Sequence, residues 1–136
     1  MQPFEIIDHT ADIGIRAYGS TLAEAFVNMA VGLSTIITEP ETIRQTDKRV
    51  ANITAPDVEA LLFEWMNYLI FVFDVENLLF SRFKMIEFTD EQMVAECWGE
   101  KYDPSRHELK LGVKSATYHM LEVDREGNSV QVIFDV

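Results

Sequence analysis

The stretch Asp8-His9-Thr10-Ala11-Asp12-Ile13-Gly14-Ile15-Arg16-Ala17-Tyr18 decides how the chain is read. From Asp12 onward Ile13, Ile15 and Ala17 alternate with Asp12, Gly14, Arg16 and Tyr18, the period of a half-buried strand. Asp12 therefore faces away from the core. Arg16 shares that face but stands four residues on, about 13 Å at the rise of a strand, so it is not the direct partner of Asp12 within the strand. Asp8, His9 and Thr10 break the apolar pattern and read as a short connection. Polar side chains there either turn toward a site or cap the backbone, and capping is the default.

Outward from this stretch, Phe4 to Ile7 reads as a preceding strand, and Gly19 stops the one that follows. Thr21-Leu22-Ala23-Glu24 fits a capping box, and Leu22, Ala25, Phe26, Met29, Ala30 and Leu33 continue at helical spacing to about Ser34. Glu39 to Thr46 is a polar connection, and Asp47 to Thr54 reads as a short strand. Thr54-Ala55-Pro56-Asp57 predicts a second helix start, with Thr54 or Ala55 as the cap and Pro56 in the first turn. Its stripe is Val58, Leu61, Leu62, Trp65, Met66, Leu69, Ile70 and Phe73. Tyr68 to Phe73 is apolar on every side, so this helix is buried or meets a partner. Asp74 and Glu76 in its last turn oppose the helix dipole, a choice the sequence leaves without a reason.

Leu79 to Phe88 and Met93 to Tyr102, joined by Thr89-Asp90-Glu91-Gln92, read as a hairpin. Tyr102 to Arg106 is a turn, and His107 beyond it reads as a surface residue. Val113 to Val123 and Ser129 to Val136 are two further strands linked by Glu126-Gly127-Asn128. In the last, Val130, Val132, Phe134 and Val136 share one face, with Gln131, Ile133 and Asp135 on the other. Two helices among about seven mostly antiparallel strands make an α+β fold, a single domain over residues 1–136.

The formal charge is −12, from 23 acids against 11 bases. That works against direct nucleic-acid binding, which depends on Lys and Arg displacing counterions, and points to basic proteins or metal ions as partners. The lone Cys97 forms no internal disulfide and sits in an apolar strand, which suits a reducing compartment. The start carries no basic or apolar leader and no apolar run reaches membrane length, so a cytoplasmic location is expected.

Gly-rich phosphate loops, Cys-x-x-Cys pairs, His-Glu-x-x-His helices and Gly-x-Ser-x-Gly elbows are all missing. What remains is hard oxygen: Asp8 and Asp12 near the start, Asp135 and the Val136 α-carboxylate at the end. Such donors suit Mg, Ca or Mn rather than Zn. The sequence does not show that the two ends meet, and a solvated pair of acids is the default. Lys114 and His119 fall on opposite faces of a regular strand, so they do not enter one pocket from it; by default they are an edge charge and a hydrogen-bonded imidazole.

Asp8-His9-Thr10-Ala11-Asp12-Ile13-Gly14, Leu61-Leu62-Phe63-Glu64-Trp65-Met66-Asn67, Val113-Lys114-Ser115-Ala116-Thr117-Tyr118-His119 and Phe134-Asp135-Val136 together resemble the archease family, over the whole chain and in order. The resemblance implies an accessory protein, not an enzyme, for the RtcB-type RNA ligase of tRNA splicing and RNA repair, promoting transfer of a guanylyl group from GTP to the ligase's histidine. It implies a divalent-metal site at Asp12, Asp135 and Val136, with His9 and Lys114 in the same motifs and His119 as a further candidate. Ser115 departs from the small apolar residue commoner there. The alternative it carries is a chaperone for RNA-modifying enzymes such as tRNA methyltransferases. A metal-dependent hydrolase, the third reading, is weakened by the missing nucleophile and nucleotide loop.

Overall fold

The computed structural model describes residues 2–8 and 12–136, with the Asp8 side chain left aside. The elements run β1 (Phe4–Asp8), β2 (Asp12–Tyr18), α1 (Leu22–Ile37), a 3-10 turn (Pro40–Thr42), β3 (Asp47–Thr54), α2 (Val58–Glu76), β4 (Leu78–Phe88), β5 (Gln92–Lys101), β6 (Ser115–Asp124) and β7 (Ser129–Asp135). The α+β expectation holds, with two antiparallel sheets ordered β1-β2-β7-β6 and β3-β5-β4. Both helices touch both sheets, α1 through β2, β7 and β4 and α2 through β6 and β3, so one core serves the whole domain.

Local chemistry sets the element ends. Thr21 caps α1 by accepting from the Glu24 amide at 3.1 Å, while the Glu24 carboxylate reaches back to the Ser20 N–H at 2.9 Å. The helix runs to Ile37, beyond the expected end near Ser34, because Ile36 and Ile37 are buried and extend the apolar face by a turn. The cap of α2 is Asp57, not Thr54 or Ala55: its carboxylate accepts from the Ala60 N–H at 2.8 Å, which leaves Pro56 before the helix and Thr54 in register with Gln92 on β5. Asn77 ends α2 in the left-handed region (φ 57°) and donates its N–H to the Phe73 carbonyl. Glu76 gains its reason here, since Arg49 Nη2 meets its carboxylate at 2.6 Å.

Trp65, Phe26, Phe134 and Ile15 are among the fully buried side chains. Trp65 donates its indole N–H to the Phe26 carbonyl at 3.0 Å, which pins α2 to α1 without leaving a polar atom unmet. Cys97 is buried, and that burial pushes its thiol up to about 12, the expected inert cysteine.

His107 departs from the surface reading. It is only 2% exposed, its Nδ1 accepts from the Asp103 N–H at 2.9 Å, and its Nε2 lies 2.9 Å from Glu100 Oε2. Acceptance at Nδ1 places the ring proton on Nε2, toward the carboxylate. Glu100 also takes the Arg44 N–H at 2.7 Å and Arg106 Nη2 at 2.5 Å. Donation from Arg106 foremost, then from the Arg44 amide and His107, holds its carboxyl down to about 2 against the opposing effect of burial.

Candidate functional site

The order of the first sheet brings the start of β2 beside the end of β7. β7 lies between β2 and β6, and the β2–β7 register pairs Asp12 with Asp135, Gly14 with Ile133 and Arg16 with Gln131. Side chains directly opposite on neighbouring antiparallel strands share a face with Cβ atoms about 4.5–5.5 Å apart. Asp12 and Asp135 are therefore two carboxylates at one end of one sheet face, the face turned away from α1. The β6–β7 register adds Ser115 opposite Asp135, and the Lys114 N–H donates to the Asp135 carbonyl at 2.8 Å.

Next to this pair Gly14, having no side chain, leaves room that a neighbour fills. A Cβ there would stand 2.7 Å from Ile133 Cδ1 and 3.3 Å from Ile7 Cβ, so Ile133 lies across the glycine and is buried despite belonging to the outer face. Further along, Arg16 donates to Gln131 Oε1 at 2.5 Å and meets Glu122 at 3.3 Å, and Gln131 donates to the Met120 carbonyl at 2.9 Å. Arg16 thus serves this cross-strand group, four residues from Asp12, as the strand rise requires.

The β6 alternation does not survive. Its register with β7 breaks between Thr117 and Glu122, and Met120 sits at φ 55°. The strand begins at Ser115, so Lys114 lies just before it, exposed. His119 is exposed and four residues beyond Ser115, about 13 Å along a strand, so it does not join the Asp12–Asp135 row. His9 lies outside the described residues. Asn67, named above only within a motif, accepts from the Ala116 N–H at 2.8 Å and so fixes the edge of β6 beside the row; its signal was the one amide on a helix whose charged side chains are all carboxylates. Phe63 stacks on Tyr118 with ring centroids 4.1 Å apart, adding a second tie between α2 and β6.

A hard cation fits the donor chemistry. Like charges placed opposite each other across a sheet repel, a divalent cation relieves that repulsion, and the donors are oxygen only. Among the described residues no cluster of three or more His, Cys, Asp or Glu side chains is poised around a metal, so this sheet end offers the two carboxylate side chains of Asp12 and Asp135. No described helix is long and apolar enough to cross a membrane.

The Archease protein family model matches residues 4–136. Protein archease of Sulfurisphaera tokodaii is 40% identical over 137 residues, covering 100% of this chain and 99% of that protein. Protein archease of Methanosarcina mazei is 34% identical over 139 residues, covering 98% and 95%. The solution structure of Methanobacterium thermoautotrophicum protein 1598 superposes with a TM-score of 0.78 at 30% identity over 100% of both chains. The crystal structure of an archease described as a possible chaperone, from Thermotoga maritima, superposes with a TM-score of 0.61 at 24% identity, covering 96% and 94%, a likeness of fold.

Proposed function

We propose, from the premise that this chain belongs to the archease family, that it is a cytoplasmic accessory protein of an RtcB-type RNA ligase, acting in tRNA splicing and RNA repair as a cofactor protein and not as an enzyme. The observation that carries the reading is the cross-strand pairing of Asp12 with Asp135 at the end of one sheet face. Asp12, Asp135 and the Val136 α-carboxylate would hold a divalent cation, Ca, Mg or Mn. Such a cation, when bound, neutralises repulsion between nucleotide phosphates and an approaching nucleophile. The chain itself supplies the rest: β7 carries Asp135 into register with Asp12 and leaves Val136 one residue beyond, Ile133 fills the space over Gly14, and the Lys114 amide holds the Asp135 backbone. Lys114 and His9 are candidate contacts with the ligase or its nucleotide, and His119 stands apart from them. An excess of acid over base speeds encounter with a basic enzyme more than it tightens the complex.

The test measures guanylylation and multiple turnover of the ligase with trace amounts of this protein. The wild type is expected to restore turnover, and Asp12→Asn to fold normally while activating at background level. Full activation by Asp12→Asn removes that carboxylate from the site.

A second reading, a chaperone for RNA-modifying enzymes such as tRNA methyltransferases, is favoured by the exposed Phe71 and Val75 on α2. Suppression of methyltransferase aggregation through that surface would survive Asp12→Asn, which separates the two.

A further inference from the structure

One stripe of α2 lies at the margin of the core and opens to solvent at Phe71 and Val75. Glu64, Asn67, Tyr68, Phe71 and Val75 recur at steps of three and four, which puts them on one side of the helix. Phe71 is 58% exposed and Val75 61%. The stripe runs along the outer edge of β3, which pairs with β5 and, among the described residues, has no strand on its other side. Asn52, Ile53 and Thr54 of β3 and Glu64, Asn67, Tyr68 and Phe71 of α2 enclose a groove of about 370 Å³. At the far end the Arg49–Glu76 ion pair joins the same two elements, so α2 passes β3 in the opposite chain direction. Helix rise from Glu64 to Glu76 is about 18 Å and strand rise from Thr54 to Arg49 about 17 Å, the length of five or six extended residues.

Exposed edges are ordinarily defended by charge, proline or a bulge. The charges of β3 are confined to Asp47, Lys48 and Arg49; Val50 to Thr54 has none of these defences, and its register with β5 is unbroken. Val50 is 57% exposed. The helix side of the trough is acidic: Glu64 and Asp74 flank Phe71, and neither meets a Lys or Arg among the described residues. A net charge of −12 disfavours any acidic or phosphate-bearing occupant.

We propose that the trough between β3 and α2 takes up an extended segment of a partner protein by strand addition, with an apolar side chain over Phe71 flanked by Lys or Arg side chains two residues to either side. Backbone pairing with β3 would supply affinity, and the alternate side chains that face α2 would supply selection. The site uses none of Asp12, Asp135 or Val136, so it stands or falls separately from ligase activation.

The probe is the capped peptide Thr-Lys-Thr-Ile-Thr-Lys-Thr, whose symmetric order serves either strand direction, titrated into the full chain and followed by amide NMR. Saturable shifts are expected at the Val50–Thr54 amides and along the Tyr68–Val75 turns. Thr-Glu-Thr-Ile-Thr-Glu-Thr and Thr-Lys-Thr-Ser-Thr-Lys-Thr are each expected to bind at least tenfold more weakly. Phe71→Ser, at an exposed site, is expected to lower affinity at least tenfold with little change in Tm, and Asp12→Asn to bind the peptide as the wild type does. Absence of saturable shifts at β3, equal binding by the serine peptide, unchanged affinity in Phe71→Ser, or lost affinity in Asp12→Asn would each overturn the proposal.

Discussion

Glu100→Gln separates the charge of the buried Glu100 carboxylate from its size. In the fold that carboxylate meets Arg106, the Arg44 amide and His107, and its pKa falls from 4.5 to about 2. A depressed acid stabilises the fold fully above its unfolded value, and loses that contribution as pH falls from about 4.5 through about 2. At about 1.4 kcal/mol per pKa unit, the charge contributes at most about 3 kcal/mol at neutral pH. For a domain of this length that corresponds to a Tm difference of about 10 °C. Glutamine keeps the volume but turns one end of its side chain into a donor, against Arg106 on one side or the Arg44 amide and His107 on the other. Thermal unfolding of both proteins by circular dichroism from pH 7 to pH 2 is the assay. The gap is expected to hold from pH 7 to about 5 and then to close progressively. A gap of the same size at pH 2 and pH 7 would refute the argument, since the stabilisation would then not come from the ionised carboxylate.

Asn67→Ala leaves the Ala116 N–H buried without its acceptor, and is expected to cost about 1–3 kcal/mol and to speed amide exchange at the start of β6. Gly14→Ala forces Ile133 aside from a 2.7 Å approach; denaturant unfolding is expected to show a loss of about 1–3 kcal/mol, and no loss would mean that Ile133 swings clear freely. A short uncharged tail after Val136 converts the α-carboxylate to an amide, whereas Val136→Leu keeps it. Calorimetric titration with Ca or Mn is expected to show weaker binding in the tailed protein alone, and equal binding by both would exclude the chain end as a ligand.

Periodicity within a single segment was enough to find β2 at Asp12–Tyr18 and β3 at Asp47–Thr54, the stripes of both helices, and the two-helix, seven-strand α+β composition. These follow from which neighbours along one chain are apolar, and the sequence states that directly. The motif resemblance likewise led to the family, since it needs only the order of residues. Where Asp12 finds Asp135 was decided by the tertiary structure: sheet order put β7 against β2, and no local pattern encodes which strand lies next to which. The same holds for His107, whose segment looks polar until Glu100 and Asp103 close around it, and for the cap of α2, where β3 claimed Thr54 for its ladder and left Asp57 to accept the Ala60 amide. Lys114 and His119 were kept apart by strand alternation in the sequence, but in the fold the broken register of β6 and the left-handed Met120 replace that alternation. Side-chain period is a property of a segment, whereas register, burial and charge pairing belong to the surfaces that segments present to one another.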